Sequence, residues 1–178
     1  MDFICFDLIN SQWYVSHDSI EPLGTKYWID KFLTKWGFNN LEMPSSYQVN
    51  QLVDLRTLLI NIFNEWKEHK NISKELLDKL NIYLSLYPVF RSIENEDHKL
   101  KLVTKPMNYS WDYIISEIAL SFAELLLDTQ LNNIKICENP ECKFIFYDRS
   151  KNHTKRWCCD SCGNLMKVRR FRAKQKNL

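Results

Sequence analysis

Five of the six cysteines fall between positions 137 and 162: Cys137 and Cys142 in CENPEC, then Cys158, Cys159 and Cys162 in RWCCDSC. Cys5 alone lies elsewhere. Thiolates are soft ligands, and zinc prefers four such groups in a tetrahedron. Each cysteine pair would grip one edge of that tetrahedron. Two pairs separated by a hairpin-sized gap favour a metal site over ordinary buried or surface thiols. Spacing alone leaves Cys158 and Cys159 as alternatives, because positions three and four apart share a helix face. A mixed site using His153 would keep an open, catalytic position, whereas four cysteines leave none and point to structural zinc.

The segment between the pairs, KFIFYDRSKNHTKRW, alternates Phe144 and Phe146 and then offers DRSKN as a turn. After Cys162, Leu165, Val168 and Phe171 recur at helical spacing and predict a helix with these residues turned inward. A knuckle, a hairpin and a helix whose first turn supplies the last ligands follow from this pattern. A helix N-terminus also favours thiolates.

The charge is split along the chain. Residues 1–134 carry 12 Lys+Arg against 18 Asp+Glu, and residues 135–178 carry 12 against 4, within a net charge of +2. An acidic body joined to a basic tail suggests a polyanionic partner. Six basic residues crowd the stretch from Lys167 to Lys176: Lys167, Arg169, Arg170, Arg172, Lys174 and Lys176. With Arg149, Lys151, His153, Lys155 and Arg156 from the turn, they would form one positive face. The candidate nucleic-acid contacts are therefore these five turn residues with Lys167, Arg169, Arg170 and Arg172. A solvated helix face is the plainer alternative, and the scarcity of acids in the same segment argues against it.

The elements that must position this module lie upstream. FICFDLI, from Phe3 to Ile9, has the length of a buried strand, with Asn10 and Ser11 as a turn or cap. Thr25 to Gly37 reads as a capped helix. Helices are predicted from Ser46 to Glu68, with Leu52, Leu55, Leu59, Ile62, Phe63 and Trp66 on its apolar face, and from Ser73 to before Pro88. VFRSI and KLKLV alternate around ENEDH as a β-hairpin. Ser110 caps a long, nearly all-apolar helix that belongs at the centre of the body. Trp28, Trp36, Trp66 and Trp111 are assigned to the core. The expected fold is α+β: a mainly helical body over 1–134 with a small β element, and a zinc-binding module over 135–178.

The motifs Cys137-x4-Cys142, Asp148-Arg-Ser-Lys-Asn152, Arg156-Trp-Cys158 and Cys162-Gly-Asn resemble the bacterial CGNR zinc-finger family over about 137–172. The resemblance implies that Trp157-Cys158 is that family's Trp-Cys pair. It makes Cys137, Cys142, Cys158 and Cys162 the ligands of one structural Zn2+. Leu165 stands where the family motif ends in Arg. The opening of the chain, with Asp7 and Asn10, resembles the N-terminal domain that accompanies this finger, described as a stress-induced transcription regulator.

These readings converge on a cytoplasmic DNA-binding transcription regulator whose body senses a signal or forms a homodimer. RNA binding is the second expectation, through stacking on Phe144, Phe146, Tyr147 and Trp157. A protein–protein adaptor is the third. No run approaches the roughly 20 apolar residues of a membrane span. The N-terminus lacks the basic region and cleavage pattern of a signal peptide. With three glycines in the chain, a Gly-rich phosphate loop is excluded. No Ser/His/Asp or paired-carboxylate arrangement stands out, so an enzyme is not expected. Asp7 and Asn10 are marked as candidates to line a pocket in the body.

Overall fold

A computed structural model describes residues 3–38, 41–127 and 131–176. The chain opens with two short helices, α1 (Ile4–Asn10) and α2 (Gln12–Asp18), followed by α3 (Lys26–Trp36), α4 (Ser46–His69) and α5 (Lys74–Leu84). An antiparallel hairpin, β1 (Val89–Glu96) and β2 (Lys99–Pro106), leads into α6 (Trp111–Leu127). A second small hairpin, β3 (Ile134–Ile136) and β4 (Ile145–Tyr147), precedes α7 (Asp160–Lys176). The mixed α+β class matches the sequence expectation.

The expected first strand is a helix. Within α1, Cys5, Leu8 and Ile9 are buried, and Asp7 turns outward to the Lys35 ammonium and the Trp36 indole N–H. A short apolar run carries no period of its own, so packing against α4 and α6 decides its state. The cap signals at Thr25 and Gly37 are better guides. The Thr25 hydroxyl accepts from the Trp28 N–H, Gly37 closes α3 at φ 74°, and Ser45 and Gln48 form a reciprocal capping box on α4.

The core gathers Leu52, Leu55, Leu59, Ile62 and Phe63 of α4 around Ile114, Ile115, Ile118 and Phe122 of α6. Trp111 is buried, and Trp28 and Trp36 flank the core, as expected. Trp66 departs from the expectation: it stands at the rim, with the Lys70 ammonium 4.2 Å from its ring. At the far end of α4, the core has already given way to solvent. Asp97 and His98, at φ 51° and 61°, form the two-residue turn of β1–β2. The ladder therefore runs to the very end of both strands, beyond the five-residue segments expected.

Ile134 and Ile145 belong to the same apolar cluster as the body helices. The division drawn at 134/135 falls inside β3.

Candidate metal centre and basic face

Asn139 shapes the first knuckle. Its carbonyl accepts from the Cys142 N–H at 2.9 Å and from the Lys143 N–H, and Lys143 reverses the chain at φ 60°. The Cys137 N–H then donates to the Phe144 carbonyl at 2.8 Å, closing the loop so that Cys137 and Cys142 face one point. The second pair straddles the start of α7. Cys158 precedes it and Cys162 lies in its first turn. The Glu138 N–H donates to the Arg156 carbonyl at 3.0 Å, tying the two pairs together.

The sulfurs of Cys137, Cys142, Cys158 and Cys162 all lie within 4.8 Å of one another. Cys142 and Cys158 sulfurs are 3.6 Å apart, and Cys158 and Cys162 sulfurs 3.8 Å. A regular tetrahedron with Zn–S bonds of about 2.3 Å has edges of about 3.8 Å, so the donor set fits zinc. Cys159 is exposed and outside this group, which settles the register in favour of Cys158. His153 points elsewhere: its Nδ1 contacts the Asp148 carbonyl oxygen at 3.0 Å.

Crowding sets the thiol chemistry. Burial and the neighbouring Cys142 and Cys137 sulfurs push the Cys158 thiol far up. The Asn139 amide, donating to the Cys162 sulfur, pulls that pKa down, but burial and Cys142 outweigh it and leave it at about 11. At Cys137 burial opposes ionisation, yet the backbone N–H groups of Cys158 and Asn139 lower its pKa. Thiols so close resist joint deprotonation unless a cation supplies the missing charge. A bound zinc would be held by all four as thiolates and would fix the knuckle to the start of α7. Cys5 is a contrast: buried beneath Ser121, its thiol is pushed up to about 12 and is inert.

Asp148 is the residue that sequence reading undervalued. It is fully buried at the start of the DRSKN turn. Its carboxylate accepts from Lys135 Nζ at 2.6 Å, from the Ser150 N–H at 2.9 Å and hydroxyl at 2.6 Å, and from the Lys155 N–H at 2.8 Å. Burial alone would raise its pKa; the Lys135 ammonium and the Ser150 and Lys155 donors outweigh it and hold the carboxyl well below the usual range. An Asp followed two residues later by Ser is a sequence signal for such a turn. Nothing local announces Lys135 as its partner.

The expected basic residues divide into two groups. Arg156 pairs with Glu138, and Arg169 with Glu141 at 2.6 Å. Arg149, Lys151, Lys167 and Arg172 are exposed without an ion-pair partner among the described residues. Lys155 reaches over Phe146 at 5.8 Å, and Arg156 and Arg170 lie over the Trp157 ring at 5.3 and 5.5 Å. The side chain of Lys176 lies outside the described residues.

Two expectations are corrected. Val168 and Phe171 do not turn inward: they are 45 and 62% exposed, and Leu165 is 40% exposed. A module built on a metal and one tryptophan has no apolar surface broad enough to cover a helix of this length. Nor are all four finger aromatics free to stack on bases. Phe144 stands edge-on to Trp13 at 6.1 Å, and Tyr147 tilts against Phe3 at 5.5 Å. Both serve the seam with the body.

That seam depends on Asn10, whose partners are 135 residues away. Its amide donates to the Ile145 carbonyl at 2.9 Å, and its side-chain oxygen accepts from the Ile145 N–H at 2.8 Å. The Trp13 indole N–H adds a bond to the Glu141 carbonyl at 3.1 Å. Asp7 and Asn10 do line a cavity of about 210 Å3, with Lys31, Lys35 and Trp28.

The arrangement defines a structural zinc finger built as knuckle, hairpin and helix. Residues 133–175 match the CGNR zinc-finger family. No curated protein matches the chain. Among the described residues, no helix is long and apolar enough to cross a membrane.

Proposed function

We propose that the protein is a nucleic-acid-binding transcription regulator, engaging duplex DNA ahead of RNA, and that it is not an enzyme. One observation carries this reading: Arg149, Lys151, Lys167 and Arg172 stand exposed, without ion-pair partners among the described residues, on a frame that four cysteines lock. In the same segment Glu138, Glu141 and Asp148 are already paired. Unpaired guanidinium and ammonium groups suit a row of phosphates, because no ion pair has to be broken first, and a rigid frame confines the ordering cost to the side chains themselves. The engagement of Phe144 and Tyr147 at the seam lowers the case for single-stranded RNA. The stress-regulator reading of the body rests on its resemblance alone, and a cytoplasmic location goes with the reduced thiols of the finger.

The test is the salt dependence of binding to a DNA duplex and to single-stranded RNA at matched salt. Each phosphate neutralised on B-DNA contributes about −0.9 to the slope of log K against log salt. Lys167→Ala with Arg172→Ala should reduce the slope by about two and leave zinc content unchanged. Arg169→Ala should change it less, since Glu141 already holds that guanidinium. A double variant that binds as the parent does would overturn the reading. The exposed row Leu165, Val168 and Phe171, flanked by cations, favours a second reading, an adaptor that docks an acidic protein. Capture of such a partner after nuclease treatment would bring it forward.

A further inference from the structure

A cleft of about 650 Å3 separates α2 from the zinc knuckle. Its volume falls in the range of small-molecule sites, roughly 300–1,000 Å3. Trp13, Tyr14 and His17 form one wall; Phe144, Asn139 and Glu141 form the other. Cys142, Cys158 and Cys162 of the metal cluster complete the lining, together with Cys159. The Trp13 ring stands at 87° to Tyr14 and at 89° to Phe144, with centroids 5.3 and 6.1 Å away. His17 stacks on the indole at 4.2 Å and backs one of its faces. The rings therefore surround the space from more than one direction.

The chemistry of the lining is one-sided. It consists of aromatic rings, the His17 imidazole, the Asn139 amide, sulfur and the Glu141 carboxylate, which Arg169 pairs from outside the lining, with no Lys or Arg in the lining itself. The main N–H donors nearby are spent. The Trp13 indole N–H is given to the Glu141 carbonyl, and the Asn139 amide to the Cys162 sulfur. A zinc ion held by four thiolates would leave net negative charge beside the cleft. An anion entering here finds no Lys or Arg in the lining, whereas a cation finds ring faces and sulfur.

We propose that this cleft binds an organic cation, an alkylated or aromatic ammonium, held between Trp13 and Tyr14 of α2 and Phe144 of the finger. Because the two walls come from the body and the finger, such a ligand bridges the seam that Asn10 already pins. The site does not require that the finger bind nucleic acid.

The experiment uses the zinc-loaded full chain and ligand-detected NMR with three probes: phenyltrimethylammonium, its uncharged isostere tert-butylbenzene, and benzoate. The cation should bind at least about tenfold more tightly than the isostere, and benzoate should not bind. Tyr14→Leu, at a half-exposed position, should weaken the cation by about two- to thirtyfold, the span of one cation–π contact, with zinc content unchanged. Equal binding of the isostere, binding of benzoate, no binding of the cation at millimolar concentration, or an unaltered Tyr14→Leu variant would each overturn the proposal.

Discussion

The body and the finger each bury one charged residue among the described residues, and they use it differently. In the body Arg56 is 3% exposed, with its guanidinium on both Glu21 oxygens, at 3.0 and 2.6 Å, and on the Ser11 hydroxyl at 2.8 Å. It is set at the edge of a broad apolar core that would hold α1, α4 and α6 together anyway. In the finger Asp148 organises the turn, and beyond the seam residues Ile134 and Ile145 little apolar surface is buried. A segment of about 40 residues cannot stabilise itself by burial alone and relies on metal and polar bonds instead. One chain thus contains a region held by the hydrophobic effect and a region held by thiolates and a carboxylate. The two should fail under different conditions.

Metal removal should separate them most sharply. Zinc binding in small finger modules is worth about 10–16 kcal/mol, more than the whole stability of many domains. Chelation should abolish hydrogen-exchange protection from Cys137 through α7 and leave α4 and α6 protected. Cys158→Ser should reproduce this loss, and Cys159→Ser should keep the zinc. Uniform loss across the chain would show that the finger and body form one cooperative unit.

Glu21→Gln tests the body. It leaves a buried guanidinium without its countercharge, and because Glu21 is partly exposed the cost should be about 1–3 kcal/mol in urea unfolding. Zinc affinity should not change. A weakened zinc site would show that the body's charge pair reaches across the seam.

Asp148→Asn tests the finger at a comparable scale. It removes the charge that holds Lys135 and weakens three further bonds, for about 1–3 kcal/mol. The folded-state pKa of Asp148 is depressed, so its contribution is complete above the unfolded value of about 3.9 and is lost as pH falls below it. The stability gap between parent and variant should be constant from neutral pH down to about pH 5 and shrink below about pH 4. A gap that stays constant to pH 2 would remove the carboxylate from its assigned role.

The smallest effect concerns Gly163, the motif glycine. A Cβ there would meet the Trp157 ring at 3.5 Å, an ordinary contact, and the residue lies within α7. Gly163→Ala should therefore leave zinc binding intact and stabilise α7 by up to about 1 kcal/mol. A loss of zinc would mean that Trp157 and α7 approach more closely when metal is bound.

Local chemistry determined much of this protein from sequence alone. The paired cysteines, the capped helix α3, the apolar face of α4, the β1–β2 hairpin and the apolar periodicity of α6 were all legible, because each depends on residues a few positions apart. Tertiary structure decided the rest. It made α1 a helix, since a short apolar run takes the state that its neighbours can bury. It assigned Asn10 to clamp a strand 135 residues away and gave Asp148 its ammonium partner. It left Val168 and Phe171 exposed, because periodicity reports that a helix has an apolar face but not whether anything covers it. It also placed α2 across from the knuckle, opening a cleft whose walls are distant in the chain. Contacts of that kind depend on how elements pack, and packing distances are not encoded at any local spacing.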